Sequence, residues 1–437
     1  MRPAAHLEAA IEILATLEGG SRGTDRVLHD DLARRRYAGA GDRRAIAGFV
    51  YSCLRRRAVT RWAFAAAGAA VTPRLEAFAG WMAEAGMGLQ GLNDLIAAGG
   101  VHAPAPLSAD ETSSLALAGT PASDRSPPDW VRAGVPAWTM PLFVRRFGTD
   151  AEAEARALNE PAALDLRVNP LRAKTESPEQ ARSAAMARLA EDGIAGNPTP
   201  FAPLGLRVAA PRGLARTKAY GEGLVEIQDE GSQLVAACVA ALPGETVIDY
   251  CAGAGGKTLA LAASMGNRGH LIACDADGPR LERLKTRAAR AGAVVETRTL
   301  AGPRSVHDLG AAADWVLVDA PCSGSGAWRR DPAARWRLTP DGLAALTALQ
   351  DRILREAARL VRPGGMLVYA TCSLFMEENE DRIQSFSQDT PQFAVVPCAV
   401  LGAVPGAVLA GEGPFLRTTP LRHGCDGFFA ATLRAAS

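Results

Sequence analysis

From about Gly223 onward the chain alternates short apolar runs with helix-like stretches. The runs are Val247–Asp249, Leu271–Cys274, Val294–Thr297, Trp315–Val318 and Met366–Tyr369. Pro279–Ala291 and Gly342–Val361 are the clearest helical stretches between them. Successive strands separated by a helix lie parallel, because the helix carries the chain back to the starting edge. The alternation therefore predicts a doubly wound, mostly parallel sheet with helices on both faces. Ligands in that architecture bind beyond the carboxyl ends of the strands, so the strand-end residues carry most of the information.

The first strand runs into Asp249-Tyr-Cys-Ala-Gly-Ala-Gly-Gly-Lys-Thr258, a glycine-rich turn that lets backbone approach a ligand closely. A phosphate-cradling loop ending in Gly-Lys-Thr needs a glycine where this chain has Cys251, so that reading fails. The dinucleotide fingerprint accommodates Gly253 and Gly255 but places its third glycine on Thr258. S-adenosylmethionine carries no phosphate and needs only the tight turn, with an acid after the second strand for the ribose hydroxyls. Asp275 follows Leu271-Ile-Ala-Cys274 in that position. Cys251, Ala252, Gly253, Ala254, Gly255, Gly256 and Lys257 are thus candidate cofactor-loop residues, against another nucleotide or a purely structural turn. Lys257 also reads as a solvated loop lysine, and Asp249 as a helix-capping acid.

Two further strand ends carry cysteines: Asp319-Ala-Pro-Cys322-Ser-Gly-Ser-Gly326 and Ala370-Thr-Cys372-Ser373. A lone free cysteine is usually a small buried hydrophobe. Two on one rim, one behind Asp-Ala-Pro, suit methylation at a pyrimidine carbon. Carbon 5 of cytosine is a poor nucleophile until a thiolate adds at carbon 6; a base must then remove the carbon-5 proton so that the thiol can leave. Little thiol ionises at neutral pH unless the site assists it. Asp319 is placed to bond the amino and ring-nitrogen edge of the base. The chemistry alone leaves the two cysteines tied for the nucleophile.

These motifs resemble the RsmB/Sun/NOP2 family of RNA cytosine-5 methyltransferases, through CAGAGGKT, VDAPCSGSG, YATCS and Glu377-Glu-Asn-Glu380. Glu226-Ile-Gln-Asp-Glu-Gly-Ser-Gln233 resembles the approach to the family's catalytic domain, and Leu166-Arg-Val-Asn169 the start of its small RNA-binding module. The N-terminal helices resemble a NusB-like domain. The resemblance implies S-adenosyl-L-methionine as cofactor and RNA as partner, ribosomal RNA first. It makes Cys372 the nucleophile, Cys322 the residue that helps release product, and Asp319 a contact to base and cofactor. Asp275 would lie on the ribose. The chain departs from the family in two places: Ala254 replaces a usual proline, and Thr297–Val306 lacks the acid that commonly bonds adenine.

The implied organisation is an all-α NusB-like RNA-binding domain (1–145), a small α/β RNA-binding module with linker (146–222) and a Rossmann-like methyltransferase domain (223–437). Leu7, Ile11, Leu14 and Leu17 recur at helical spacing, as do Ile46, Phe49, Val50, Cys53 and Leu54 in a helix opening near Asp42. Residues 99–128, rich in Gly, Pro, Ser, Ala and Thr, read as a linker. Residues 1–75 hold 13 Arg against seven acids, either a solvated face or an RNA footprint. Arg329, Arg330, Arg335 and Arg337 alternate with Trp328 and Trp336, either a base-stacking platform or an exposed loop with core tryptophans.

Over the whole chain 48 basic and 47 acidic side chains cancel, which excludes a cationic coat. The uncharged run Thr390–Gly411 is broken by Pro391, Pro397 and Pro405, so no membrane span is expected. Glu8 and Glu12 interrupt any export signal. The eight cysteines form no C-x-x-C pair, which predicts neither a zinc framework nor a disulfide scaffold. A reduced, cytoplasmic, monomeric enzyme without metal is the expectation. A transfer-RNA methyltransferase and a non-catalytic RNA-binding or assembly factor are the alternatives.

Overall fold

The computed structural model describes residues 1–20, 22–119, 126–175, 177–209, 213–302, 305–398 and 413–437. Part of the 99–128 stretch and most of the uncharged run after Cys398 lie outside the described residues. The chain divides into two compact units. One comprises Met1–Glu160 together with Trp328–Pro340, the other Pro161–Ala327 together with Asp341–Ser437.

The first unit is helical. Pro3–Glu18, Thr24–Arg34, Ala40–Ala66, Pro73–Ala85, Leu89–Ala97 and Ala109–Gly119 are its main helices. The apolar stripes expected from the sequence pack together: Leu7, Leu14 and Leu17 meet Ile46, Phe49, Val50 and Leu54 in one core. Asp42 is not the cap of its helix. Gly39 holds that position and Asp42 accepts its N–H at 2.9 Å from the third helical residue, the half of a capping box that a glycine allows. The stretch read as a linker contains the Ala109–Gly119 helix, whose Leu115 enters the core and whose Glu111 pairs with Arg74 at 2.8 Å.

Residues 328–340 complete this unit. Trp328 is fully buried, edge-on to Phe143. Arg335 is fully buried and donates to the carbonyls of Gly134 and Leu158 and to Asn159 Oδ1. Asp331 accepts from Thr24 and Arg337. The base-stacking reading of this run is therefore corrected for Trp328 and Arg335, which are core residues, Arg335 satisfying helix-end carbonyls. Some of the arginines of residues 1–75 are tied up inside the unit, while Arg2, Arg22, Arg26, Arg34, Arg36, Arg44 and Arg56 are exposed. Arg35 pairs with Glu12 and Asp31, Arg61 with Glu18, and buried Arg57 with Glu76 at 2.6 Å.

The second unit holds two sheets. The smaller has the antiparallel order β2–β3–β1–β4, from β1 (Leu164–Val168), β2 (Gly196–Pro198), β3 (Gly205–Val208) and β4 (Val225–Ile227), and the Pro178–Ala190 helix packs on it. Buried polar groups key it to the Gly278–Ala291 helix of the larger sheet. Asn169 donates to the carbonyls of Gly223 and Ala291, and Glu226 pairs with Arg287 and Arg290.

The larger sheet contains β5 (Thr246–Asp249), β6 (His270–Asp275), β7 (Glu296–Thr299), β8 (Ala313–Asp319), β9 (Val361–Thr371), β10 (Phe393–Val396), β11 (Leu416–Thr418) and β12 (Phe428–Ala435). Its order is β10–β12–β9–β8–β5–β6–β7, with β11 beside β12. Strands β5 to β9 pair in parallel, as the alternation demanded. The antiparallel edge of β12 and β10 has no counterpart in the sequence reading, and β7 lies two residues later than expected. Strands buried on both faces, such as β8 with Val316, Leu317 and Val318, explain the unbroken apolar runs.

The cysteine reading needs one correction: Cys238 and Cys398 are joined, with Cα atoms 5.8 Å apart. The remaining six cysteines are free thiols.

Candidate active site

The carboxyl ends of β5, β6, β8 and β9 surround a cavity of about 940 Å³. Cys251, Ala252, Gly253, Ala254, Gly256, Lys257, Asp275, Asp319, Cys322 and Cys372 all line it. Of the site residues expected from sequence, only Gly255 does not. It sits at φ 84°, where a Cβ would strike Leu284 at 2.5 Å, so this glycine serves the turn and the approach of the Gly278–Ala291 helix. Gly253, at φ 57°, lines the cavity, and a Cβ there would meet no protein atom within 4 Å.

Asp275 accepts the Gly253 N–H at 2.7 Å through one oxygen and the Asp277 N–H at 2.8 Å through the other. Each carboxylate oxygen retains a lone pair for a hydroxyl. Asp249 lies beneath the loop rather than capping a helix through its backbone. It accepts the Thr258 hydroxyl at 2.6 Å, and burial pushes its carboxyl up to about 7. Lys257 is buried too, over the ring of Phe428, and donates to Asp319 at 2.7 Å. Burial alone would lower this ammonium's pKa, but the Asp319 carboxylate outweighs it and the net direction is up. The solvated-loop reading of Lys257 is therefore not what the fold contains.

Cys322 Sγ and Cys372 Sγ stand 3.4 Å apart. The hydrogen bond to Cys372, burial and the nearby Glu378 charge together hold the Cys322 thiol well above its usual range. The serine after each cysteine goes to the same place. Ser323 and Ser373 both donate their hydroxyls to Glu378 at 2.5 Å, and the Ser323 N–H reaches it at 2.8 Å. Gln350 donates to it at 3.0 Å. Next to it, Asn379 accepts from Thr371 and donates to the Ser373 carbonyl. A fully buried carboxylate that faces only donors thus ties the β8 and β9 loops together. Sequence reasoning quoted Glu378 within a motif without giving it this task; the signal was the repeated Cys-Ser.

Also unforeseen is the wall contributed by Leu349, Arg352, Ile353 and Glu356 of the Pro340–Ala358 helix, with Tyr250 and Ser232. Nothing in an ordinary amphipathic helix announces which turn faces a ligand.

Comparison with known proteins identifies the family. A family model described as 16S rRNA methyltransferase RsmB/F matches residues 236–434, and one for the ferredoxin-like domain of the same proteins matches residues 135–215. A Synechocystis protein named probable ribosomal RNA small subunit methyltransferase B is 36% identical over 69% of this chain and 67% of its own length.

The chain belongs to the RsmB/F methyltransferase family.

A Xanthomonas campestris ribosomal RNA small subunit methyltransferase B is 35% identical over 70% of this chain and 67% of its own. Matches of this kind span about two thirds of each relative's length. Among solved structures, that of PH0851 covers 99% of both chains with a TM-score of 0.76 and 26% identity. The structure titled NSun6 from Pyrococcus horikoshii with SFG, a cofactor analogue, shares the fold at 22% identity and TM-score 0.60, over 69% of this chain and 98% of that one. RsmB/F enzymes use S-adenosylmethionine, and the donor set here fits it: an open glycine cradle, a strand-end acid with free lone pairs, and a long cavity leading to two thiols. No helix among the described residues is long and apolar enough to cross a membrane.

Proposed function

We propose that this RsmB/F protein methylates carbon 5 of a cytosine in RNA, ribosomal RNA first, through a transient bond to Cys372. The observation that carries the reading is the pair of thiols 3.4 Å apart at the end of the cofactor cavity, beside a lysine-paired aspartate. S-adenosylmethionine supplies the electrophilic methyl group; the rest falls to this chain's side chains.

Cys322, kept as a thiol, donates to Cys372 Sγ and lowers the cost of ionising it. The Cys372 thiolate adds to carbon 6, and the electron pair of the broken ring double bond becomes available at carbon 5. The Asp319 carboxylate, held in place by Lys257, accepts from the amino group and from the ring nitrogen once that nitrogen, where charge collects, has taken up a proton. After methyl transfer the carbon-5 proton leaves to a base, the ring double bond re-forms, and Cys372 departs as thiolate. Cys322 sits where it can assist this last step. The same reading makes Cys251–Lys257 and Asp275 the cofactor contacts, and residues 1–145 and 146–222 the RNA-binding parts of a monomeric cytoplasmic enzyme. The names of the relatives favour ribosomal over transfer RNA.

The order of steps supplies the test. Cys322→Ala should capture RNA and stall, giving a slow RNA–protein band on a denaturing gel. Cys372→Ala and the double variant should give none. A band from Cys372→Ala instead would exchange the two roles, and full activity in both variants would end the covalent reading. Bisulfite sequencing of total RNA from a deletion strain identifies the cytosine.

A further inference from the structure

The adenine of S-adenosylmethionine presents an exocyclic amino group, a donor that a selective site must meet with an acceptor. Three carboxylates line the cavity: Asp275, Asp319 and Glu356. Asp275 stands at the end of β6, committed to the glycine loop through Gly253. Asp319 is paired with Lys257 at the thiol end. The loop after β7, from Leu300 to Val306, contains no acid at all.

Glu356 is the third. It lies on the Pro340–Ala358 helix and accepts the Tyr250 hydroxyl at 3.1 Å; among the described residues it has no ion-pair partner. Leu349 and Ile353, seven and three residues before it, line the same wall. They pack in one apolar cluster with Tyr250 and with Leu300, the residue following β7. The cluster supplies apolar faces for a purine beside the strand that carries Asp275, and Glu356 supplies a carboxylate at its edge.

We propose that Glu356 accepts the hydrogen bond of the adenine amino group, in place of an acid on the β7 loop, with Tyr250 holding the carboxylate in position. The inference concerns the cofactor alone. It stands or falls separately from the cysteine chemistry, because its test requires neither RNA nor turnover.

The test is a calorimetric titration of the full chain with two ligands, S-adenosylhomocysteine and S-inosylhomocysteine, which differ at purine position 6 and in the proton on N1. Hypoxanthine places an acceptor oxygen where adenine has its amino donor, and an N–H where adenine N1 accepts, so a carboxylate centred on the position-6 group meets it unfavourably. Wild type should prefer the adenosyl ligand by roughly 10- to 100-fold, as expected for a hydrogen bond to a charged group. Glu356→Gln, whose amide can also donate, should bring that ratio close to one, and Glu356→Ala should flatten it as well. Tyr250→Phe should reduce the ratio partly, by freeing the carboxylate. The ratio is internal to each variant, so a general loss of cofactor affinity does not mimic it. A wild type without preference, or a wild-type ratio kept by both Glu356 variants, would overturn the assignment and leave adenine to backbone groups.

Discussion

Replacing Glu378 by alanine removes the one group that both cysteine loops share, and the cost can be worked from its partners. The hydroxyls of Ser323 and Ser373 have somewhere else to turn: they lie 3.3 Å from one another, and Ser373 lies 3.0 Å from Ser325 Oγ. Gln350 keeps the Pro321 carbonyl at 2.9 Å. The Ser323 N–H loses its acceptor in Glu378, and a buried donor that loses its acceptor costs about 1–3 kcal/mol. A void of roughly 60 Å³, at about 24 cal/mol per Å³, adds about 1.5 kcal/mol. The sum, about 2.5–4.5 kcal/mol, corresponds to a fall in Tm of about 5–8 °C for a unit of this size. Glu378→Gln retains an acceptor for the Ser323 N–H and should lose less than about 5 °C. Differential scanning calorimetry measures both shifts. Methyl transfer should fall further than stability in Glu378→Ala, by at least about tenfold, because the two sulfurs lose their common anchor. A Glu378→Ala protein that melts within a degree of wild type and turns over normally would refute the claim that this carboxylate sets the geometry.

Asp275→Ala should weaken S-adenosylhomocysteine binding by about 1–3 kcal/mol in calorimetry, through the ribose and through the freed Gly253 N–H; unchanged affinity removes Asp275 from the site. Asp249 titrates upward, from 3.8 to about 7. Its contribution to stability is therefore complete below pH about 4 and lost as the pH rises toward 7. Asp249→Asn lacks that loss, so urea unfolding should show the variant gaining up to about 3 kcal/mol on wild type between pH 4.5 and 7.5; parallel pH curves would contradict the burial argument. Arg335→Met leaves the Gly134 and Leu158 carbonyls without their donor and should cost about 2–4 kcal/mol of helical-unit stability by thermal unfolding.

The strand-end motifs were legible because each carries its chemistry in consecutive residues. The Cys251–Lys257 turn, Asp275, Asp319 and both thiols reach one cavity from four strands whose parallel pairing follows from the alternation. Contacts made by side chains distant in sequence were not legible. Glu356 meets Tyr250 across 106 positions, and Arg335 meets Gly134 across 201, with no local pattern to mark either pair. The Trp–Arg alternation of 328–337 misled for a physical reason. Burial and base stacking select the same side chains, and only the helix-end carbonyls around Arg335 decide between them. The antiparallel edge escaped because β12 lies 57 residues beyond the end of β9 in the chain, although it is its neighbour in the sheet.

The excursion of residues 328–340 also governs the timing of synthesis. The helical unit has all of its N-terminal residues once Glu160 has been made, yet its last piece ends at Pro340. At about 5–20 residues per second, the intervening 180 residues take roughly 10–40 s to emerge. Through that interval Phe143 lacks its tryptophan neighbour, and the Gly134 and Leu158 carbonyls lack their guanidinium. The nascent chain must therefore carry a half-finished core past the ribosome exit while the Cys251–Lys257 turn and the Cys322 loop are translated. Slow codons between residues 161 and 340 would lengthen that exposure, and slow codons well after residue 340 would leave it unchanged.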